Sequence, residues 1–235
     1  MYYRCLEKIQ TGYRKKIIEV FENLAEPLHF EPGELIDSDF GAKDFAYVLL
    51  DGYVKQYFVD IHGREKILFL LARGDLFGEV TMLQYSQDMV VSEAFTHCSV
   101  LKLDREHFLN LVDEKPALSR QLLTMESTKI RLLLFQIYDS AFYSVTDQLN
   151  SLLIRLAVLH GRPISEGTLI DLELTHEDLA VMLGSTRSTI TRALKQLKER
   201  GILGIKNRKI FITQIDFEGL DNYYKKNTHK KIPRD

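Results

Sequence analysis

The chain has 235 residues, of which 45% are hydrophobic and 27% charged, and its formal net charge at pH 7 is −2. This composition is ordinary for a globular protein and argues against an intrinsically disordered chain. No apolar run reaches the roughly 18 residues of a membrane-spanning helix, and residues 1–12 lack a signal-peptide core, so we expect a cytoplasmic protein without a membrane partner.

The two cysteines, Cys5 and Cys98, stand far apart in the sequence and form no CxxC spacing. This spacing predicts no metal site, and a disulfide is not expected in a reducing compartment. Two cysteines also exclude an iron–sulfur cluster held by four cysteines.

The charge is unevenly distributed along the chain. Residues 1–144 carry 16 basic and 22 acidic side chains, whereas residues 145–235 carry 15 basic and 11 acidic ones. Within residues 184–212 there are eight basic residues and one acid, Glu199. A local excess of seven positive charges attracts phosphate backbones, so this segment is a candidate nucleic-acid surface. The alternative is an ordinary solvated helix face.

Residues 13–104 change from a helical to a β-rich pattern. An apolar stripe from Ile17 to Leu24 predicts an amphipathic helix that ends before Pro27. Between residues 28 and 104, short β-rich segments alternate with glycines spaced 4 to 11 residues apart. Because glycine accepts positive φ without a Cβ clash, this pattern predicts an antiparallel β-roll or barrel with tight corners.

Residues 115–139 predict one long helix. One row of its side chains has the three-, four- and seven-residue steps of a coiled-coil seam: Leu118, Leu122, Met125, Lys129, Leu132 and Asp139. We therefore expect a parallel homodimer, with packing of this row on the chain's own β-roll as the alternative. A second apolar row would allow both contacts at once: Leu123, Ile130, Leu134 and Ile137.

Residues 145–212 predict a helix, a strand, two further helices and a hairpin. The helix over residues 145–160 follows a break at Tyr143 and Ser144, and Thr175 with Asp178 can cap a short helix that Gly184 ends. The next helix has a buried side and a polar side, as a helix-turn-helix requires for contacts with base edges in the major groove. Residues 201–212 then predict a β-hairpin, the wing of a winged helix.

These segments together resemble the cyclic-AMP receptor/fumarate-nitrate regulator superfamily of transcription factors over nearly the whole chain. The motifs that carry the resemblance are Glu31-Pro-Gly33, Leu50-Asp-Gly52, Arg73-Gly-Asp-Leu-Phe-Gly-Glu79 and Leu183-Gly-Ser-Thr-Arg-Ser-Thr-Ile-Thr-Arg192, followed by Leu197 and Gly201. The implied fold is α+β: a double-stranded β-helix, or cupin-like β-roll, as sensor, a dimerisation helix, and a C-terminal winged helix-turn-helix. The corresponding domains are residues 1–114, 115–143 and 144–235.

The resemblance implies a homodimeric, sequence-specific regulator that binds pseudo-palindromic double-stranded DNA. In that family the position of Arg187 contacts guanine and phosphate, and that of Arg192 reads a guanine through its bidentate guanidinium. Ser188 departs from the glutamate common in the family, so the half-site sequence is not predicted. The predicted DNA-binding residues are Thr175, Ser185, Thr186, Arg187, Ser188, Thr189, Thr191, Arg192 and Lys195. Residues 162–167 occupy the place where family activators touch RNA polymerase.

The effector implied by the resemblance is a small molecule other than cyclic AMP. In members that bind cyclic AMP, an Arg-Ser pair that follows Gly78 and Glu79 holds the phosphate, but residues 84–91 contain no arginine. A cyclic phosphate without a guanidinium has little to bind it. The axial ligand pair expected of a haem sensor near residues 78–84 is also missing, so no cofactor is expected.

Lys129 suggests a small organic anion as the effector, because a family branch that senses chlorinated phenols has a lysine near this position. An ammonium at a dimer seam needs a counter-charge, and an anionic ligand could supply it. The alternatives are an intersubunit contact with Glu126 or Glu79, or extension of the side chain to solvent. The predicted effector-binding residues are Phe69, Phe77, Gly78, Glu79, Met89, Lys129 and Leu133. Effector binding is expected to rearrange the helix pair about a hinge at residues 139–144.

Other function classes have less support. The sequence contains no GxGxxG, P-loop, GxSxG or HExxH motif, so we predict no enzyme, no catalytic residue and no metal ligand. Two alternatives to an effector-gated regulator remain. One is a constitutive, effector-independent DNA-binding regulator, and the other is a cyclic-nucleotide-type module that acts on a protein partner.

Overall fold

The computed structural model describes residues 4–21, 24, 26–36, 45–84 and 90–215, with side chains from residue 13 onwards. The chain divides into two compact units, one built on Thr11–Ile137 and the other on Tyr138–Ala180 and the described residues after Ser185. The predicted α+β fold is confirmed. The division falls inside the long helix, and the three predicted domain ranges remain predictions. No helix in the described ranges has the length and apolarity needed to cross a membrane.

The N-terminal part is a two-sheet β-roll with flanking helices. Its elements are α1 (Arg4–Phe21), β1 (Leu28–Phe30), β2 (Phe45–Asp51), β3 (Val54–Val59), β4 (Glu65–Leu71), β5 (Leu76–Phe77), α2 (Glu79–Gln84), β6 (Val91–Ala94), β7 (Cys98–Asp104), α3 (Arg105–Glu114) and α4 (Pro116–Phe142). The sheets are antiparallel, with strand orders β1-β7-β2-β5 and β4-β3-β6. Side chains from six of these strands meet in one core cluster: Tyr47, Leu49, Val54, Leu71, Phe77, Ala94 and Val100.

Glycine is required at the corner between β2 and β3. Gly52 has φ +79°, and a Cβ there would lie 2.2 Å from the carbonyl oxygen of His97. The corner therefore combines a left-handed backbone with a close approach of two chain segments. This is the geometry that the glycine spacing predicted.

A buried ion pair fixes α1 to the β-roll. The Arg14 guanidinium donates to both carboxylate oxygens of Asp75, at 2.9 and 2.7 Å, and the Tyr13 hydroxyl donates to the same group at 3.0 Å. Asp75 is only 4% exposed, so these donors offset the cost of burying its charge. The contact anchors the loop that leads into β5 and α2.

The two faces of α4 have different surroundings, and the predicted seam was assigned to the wrong one. Half of the row predicted to face a partner chain is turned inward: Leu118, Met125 and Asp139 are at most 2% exposed, and Leu122, Lys129 and Leu132 are half-buried. The second row is instead 57 to 69% exposed: Leu123, Ile130, Leu134 and Ile137. The alternative, that the first row packs within its own chain, is thus the observed arrangement.

The C-terminal part is a winged helix-turn-helix. Its elements are α5 (Val145–His160), β8 (Gly161–Ile164), β9 (Gly167–Ile170), α6 (His176–Leu183), α7 (Arg187–Glu199), β10 (Leu203–Lys206) and β11 (Lys209–Ile212). The strands form one sheet of order β10-β11-β9-β8, so the loop predicted over residues 161–167 is largely a hairpin. Asn207 and Arg208, with φ 49° and 64°, make the turn of the predicted wing.

The end of α4 is fixed to α5 by a second buried ion pair. Arg155 Nη1 donates to Asp139 Oδ2 at 2.6 Å and to Ser151 Oγ at 2.7 Å. α4 ends at Phe142, and the Ser144 side chain caps α5 by accepting from the backbone N–H of Asp147. Because Asp139 and Arg155 lie on opposite sides of the break, they hold the predicted hinge segment to α5.

Candidate functional site

The helix-turn-helix is shaped by its caps. The Thr175 backbone N–H donates to Asp178 Oδ2 at 2.7 Å, and the Asp178 N–H donates to Thr175 Oγ1 at 3.0 Å, which is a reciprocal capping box. The turn ends α6 at Gly184, with φ +64°. Thr186 then caps α7, because its hydroxyl oxygen accepts from the backbone N–H of Thr189. The start of α6 is where the sequence predicts it.

α7 separates an apolar face from a polar one. The apolar face is at most 8% exposed: Ile190, Ala193, Leu194 and Leu197. Seven of the predicted DNA-binding residues are exposed: Thr175, Thr186, Arg187, Ser188, Thr191, Arg192 and Lys195. The other two, Ser185 and Thr189, are half-buried. Most of the predicted set therefore lies on the turn and the outward face of one helix.

Hydroxyl groups at the start of α7 form one connected group. Thr186 Oγ1 lies 3.1 Å from Ser188 Oγ and 2.9 Å from Thr189 Oγ1. Arg192 Nη2 in turn donates to Thr189 Oγ1 at 3.5 Å. The guanidinium expected to read guanine thus extends toward the N-terminal turn of α7, the end that a recognition helix directs into the major groove.

The wing contributes less positive charge than the sequence predicted. Lys206 bonds Glu166 at 2.6 Å, Lys209 bonds Asp171 at 2.7 Å, and the Arg208 guanidinium lies 3.3 Å from Glu173. The hydrogen bond from Lys206 lowers the pKa of the Glu166 carboxyl to about 2, so this acid is ionised at neutral pH. These acids lie outside residues 184–212, and they offset the basic residues of the wing. The remaining positive charge of that segment is concentrated on α7 and its C-terminal end.

Two of the predicted effector residues, Glu79 and Lys129, form a buried charged cluster with Glu126 between α2 and α4. Lys129 Nζ donates to Glu79 Oε1 at 2.5 Å and to the Leu76 carbonyl oxygen at 3.0 Å, and lies 3.6 Å from Glu126 Oε1. We call Glu79, Glu126 and Lys129 the sensor cluster. The prediction that Lys129 interrupts the dimer seam was wrong, because its side chain is turned into its own β-roll and carboxylates already supply the counter-charge.

The other predicted effector residues within the described ranges differ in their surroundings. Phe77 stacks on Tyr47 in the core of the β-roll at a centroid distance of 5.2 Å, and Phe69 packs against the same core. Gly78, with φ +85°, connects Phe77 to Glu79. Leu133 is half-buried on α4, and Met89 lies outside the described residues.

One residue of the interface was not predicted from the sequence. His176, at the start of α6, is half-buried with its Nδ1 atom 2.8 Å from Thr191 Oγ1. The two residues are 15 positions apart. No local pattern signals this contact, because it depends on how α6 crosses α7.

Comparisons with known proteins agree with this architecture. Residues 27–115 match the cyclic nucleotide-binding domain, and residues 148–223 match the Crp-like helix-turn-helix domain. A mutant of CooA from Carboxydothermus hydrogenoformans shares the fold with a TM-score of 0.70, at 24% identity and coverage of 84% of this chain and 87% of that one.

Curated relatives extend the similarity over both domains. A global nitrogen regulator of Nostoc sp. is 30% identical over 207 residues, which cover 87% of this chain and 89% of that protein. A CRP-like cAMP-activated global transcriptional regulator of Mycobacterium tuberculosis is 23% identical over 205 residues, covering 87% and 92% respectively. The chain therefore belongs to the cyclic-AMP receptor/fumarate-nitrate regulator family, whose members are transcription regulators and not enzymes.

Proposed function

We propose that this regulator is a cytoplasmic homodimer that binds pseudo-palindromic DNA and is controlled by a small molecule other than cyclic AMP. Residues 1–114 sense the effector, residues 115–143 dimerise, and residues 144–235 bind DNA. The observation that carries the DNA-binding part is the polar face of α7, which presents Arg187 and Arg192 beside the Thr186 cap. A two-fold dimer requires a two-fold related pair of half-sites.

The exposed row of α4 supports the dimer. Leu123, Ile130, Leu134 and Ile137 follow seven-, four- and three-residue steps and remain solvent-exposed in one chain. Apolar residues at these steps suit a left-handed pair of helices. A second copy of the same row is the self-complementary surface that closes a two-fold dimer.

The sensor cluster limits how an anionic effector could bind, because Glu79 already pairs with Lys129 within the same chain. Lys129 is the buried cation of this cluster, and an anion that reached it would compete with the Glu79 carboxylate for the same ammonium. Cyclic AMP is disfavoured because residues 84–91 offer no arginine for its phosphate. If the protein activates transcription, the β8–β9 hairpin is its RNA polymerase contact.

Substitution of Arg192 tests the proposal that α7 binds DNA. A duplex from beside the protein's own coding region is labelled, and fluorescence anisotropy is measured at several salt concentrations. Arg192→Ala should weaken binding about 10- to 100-fold, because one bidentate guanine contact contributes roughly 1–3 kcal/mol. Arg200→Ala, which removes a charge at the opposite end of α7, should change affinity only slightly.

Addition of ligands tests the sensing part in the same assay. A metabolite extract should raise DNA affinity, and cyclic AMP should not. Affinity that no extract or nucleotide changes would favour a constitutive DNA-binding regulator. Absence of binding under every condition would overturn the DNA-binding assignment and favour a module that acts on a protein partner.

A further inference from the structure

Thr191 lies on the exposed face of α7, one turn after Arg187 and next to Arg192. Its hydroxyl donates to the Arg187 carbonyl oxygen at 2.9 Å. Thr191 Oγ1 also lies 2.8 Å from His176 Nδ1. A hydroxyl group has one proton, and the Arg187 carbonyl oxygen can only accept, so when both bonds are formed His176 Nδ1 is the donor in the second contact.

These two bonds determine what Thr191 offers to a ligand. Its only hydroxyl proton is used within the protein, so the side chain cannot donate to the acceptors N7 and O6 of guanine, N7 of adenine or O4 of thymine. The γ-methyl group of Thr191 takes part in neither hydrogen bond. Among the groups on the major-groove edge, the apolar one is the 5-methyl group of thymine.

We propose that Thr191 recognises a thymine through its 5-methyl group, and that His176 is the positioning residue that holds Thr191 in this orientation. The proposal rests on the proposed function, in which α7 enters the major groove. Because Thr191 is adjacent to Arg192, the thymine lies close to the guanine that Arg192 reads. A methyl contact also supplies base discrimination at a position where the neighbouring Ser188 offers only a short hydroxyl.

The test replaces thymine by uracil, which removes the 5-methyl group and leaves the hydrogen-bonding edge unchanged. Preferred duplexes are first selected from a randomised pool by the full-length protein. Each thymine of the selected half-site is then replaced by uracil, and competition binding gives the thymine-to-uracil affinity ratio. For wild type, one position should show a ratio of about four, the contribution of one buried methyl group.

Variants at residues 191 and 176 separate the methyl group from the hydroxyl group. Thr191→Val keeps the methyl group and should retain the ratio, whereas Thr191→Ser keeps the hydroxyl and should lower the ratio to about one. His176→Ala should reduce the ratio. His176→Asn, which can place an amide donor near the former Nδ1 position, should restore it. Since the ratio is measured within each variant, a change in the amount of folded protein cancels.

Two kinds of result would overturn the proposal, and they distinguish the methyl contact from the proposed function. Selective DNA binding with a ratio of one at every thymine, or an unchanged ratio in Thr191→Ser, would overturn the methyl contact alone. A pool in which wild type enriches no sequence would overturn the proposed function together with the contact that rests on it.

Discussion

At the residue scale, the sensor cluster places two carboxylates beside one ammonium in the contact between α2 and α4. Glu79 and Lys129 side chains are 4% and 13% exposed, and that of Glu126 is 32% exposed. Burial raises the pKa of Glu126 to about 7; the Lys129 ammonium opposes the shift and the charge of Glu79 adds to it. One of the two acids therefore holds a proton well above the pH at which a free glutamate loses it.

This raised pKa predicts a pH-dependent stability. The folded state binds the Glu126 proton more tightly than the unfolded state, so the free energy of unfolding should fall as pH rises from about 4.5 to 7. We expect Glu126→Gln to remove this slope and to be more stable than wild type at pH 8, by about 1 to 2 kcal/mol after allowance for solvent screening. Urea unfolding at several pH values measures it. Glu106→Gln, at an exposed glutamate of α3, is the control and should keep the wild-type slope. An unchanged slope in Glu126→Gln would refute the assignment.

At the scale of elements, the buried pair Asp139–Arg155 connects the end of α4 to the middle of α5. Both side chains are at most 5% exposed. The pair spans the break at Tyr143 and Ser144, so residues on both sides of the break should move together. A hinge between the proposed sensing and DNA-binding domains is therefore expected before Asp139, not within residues 139–144.

Removal of one member of this pair should destabilise the protein more than removal of both. Arg155→Met takes the guanidinium from the buried Asp139 carboxylate, and a broken buried ion pair costs about 3–5 kcal/mol. The double variant Asp139→Leu with Arg155→Met should recover most of this loss, because neither position of the pair then carries a buried charge. Urea unfolding midpoints compare the variants. Equal midpoints for Arg155→Met and wild type would contradict the proposed role of the pair.

Elements with strong local signals could be predicted from the sequence. The pair Thr175 and Asp178 predicted the start of α6, and residues 201–212 predicted the wing, because caps and tight turns depend on neighbouring residues. What each face of a helix packs against could not be predicted from neighbouring residues. Both apolar rows of α4 repeat every seven residues, so only tertiary packing decides that Met125 faces inward and Ile130 outward. The acids that neutralise the wing likewise lie on other strands.

At the scale of the whole molecule, one chain presents two surfaces that need partners. In the proposed function, the polar face of α7 binds DNA and the exposed row of α4 binds a second chain. The two requirements are linked, because a single helix-turn-helix makes few base contacts and a dimer doubles them on one duplex. Dimerisation should therefore govern DNA affinity even though α4 itself does not touch DNA.

Leu134→Glu tests this link. Leu134 is 59% exposed in one chain, and in the dimer two glutamates would face each other across an apolar seam. Burying those like charges without a partner costs several kcal/mol, so the variant should be monomeric at micromolar concentration and should bind a two-half-site duplex at least tenfold more weakly. Sedimentation equilibrium measures the mass, and anisotropy measures the affinity. Thr124→Glu adds the same charge on an exposed position of α4 away from the row, and should remain dimeric. A dimeric Leu134→Glu would place the dimer interface elsewhere, whereas a monomer with unchanged affinity would show that one helix-turn-helix suffices for binding.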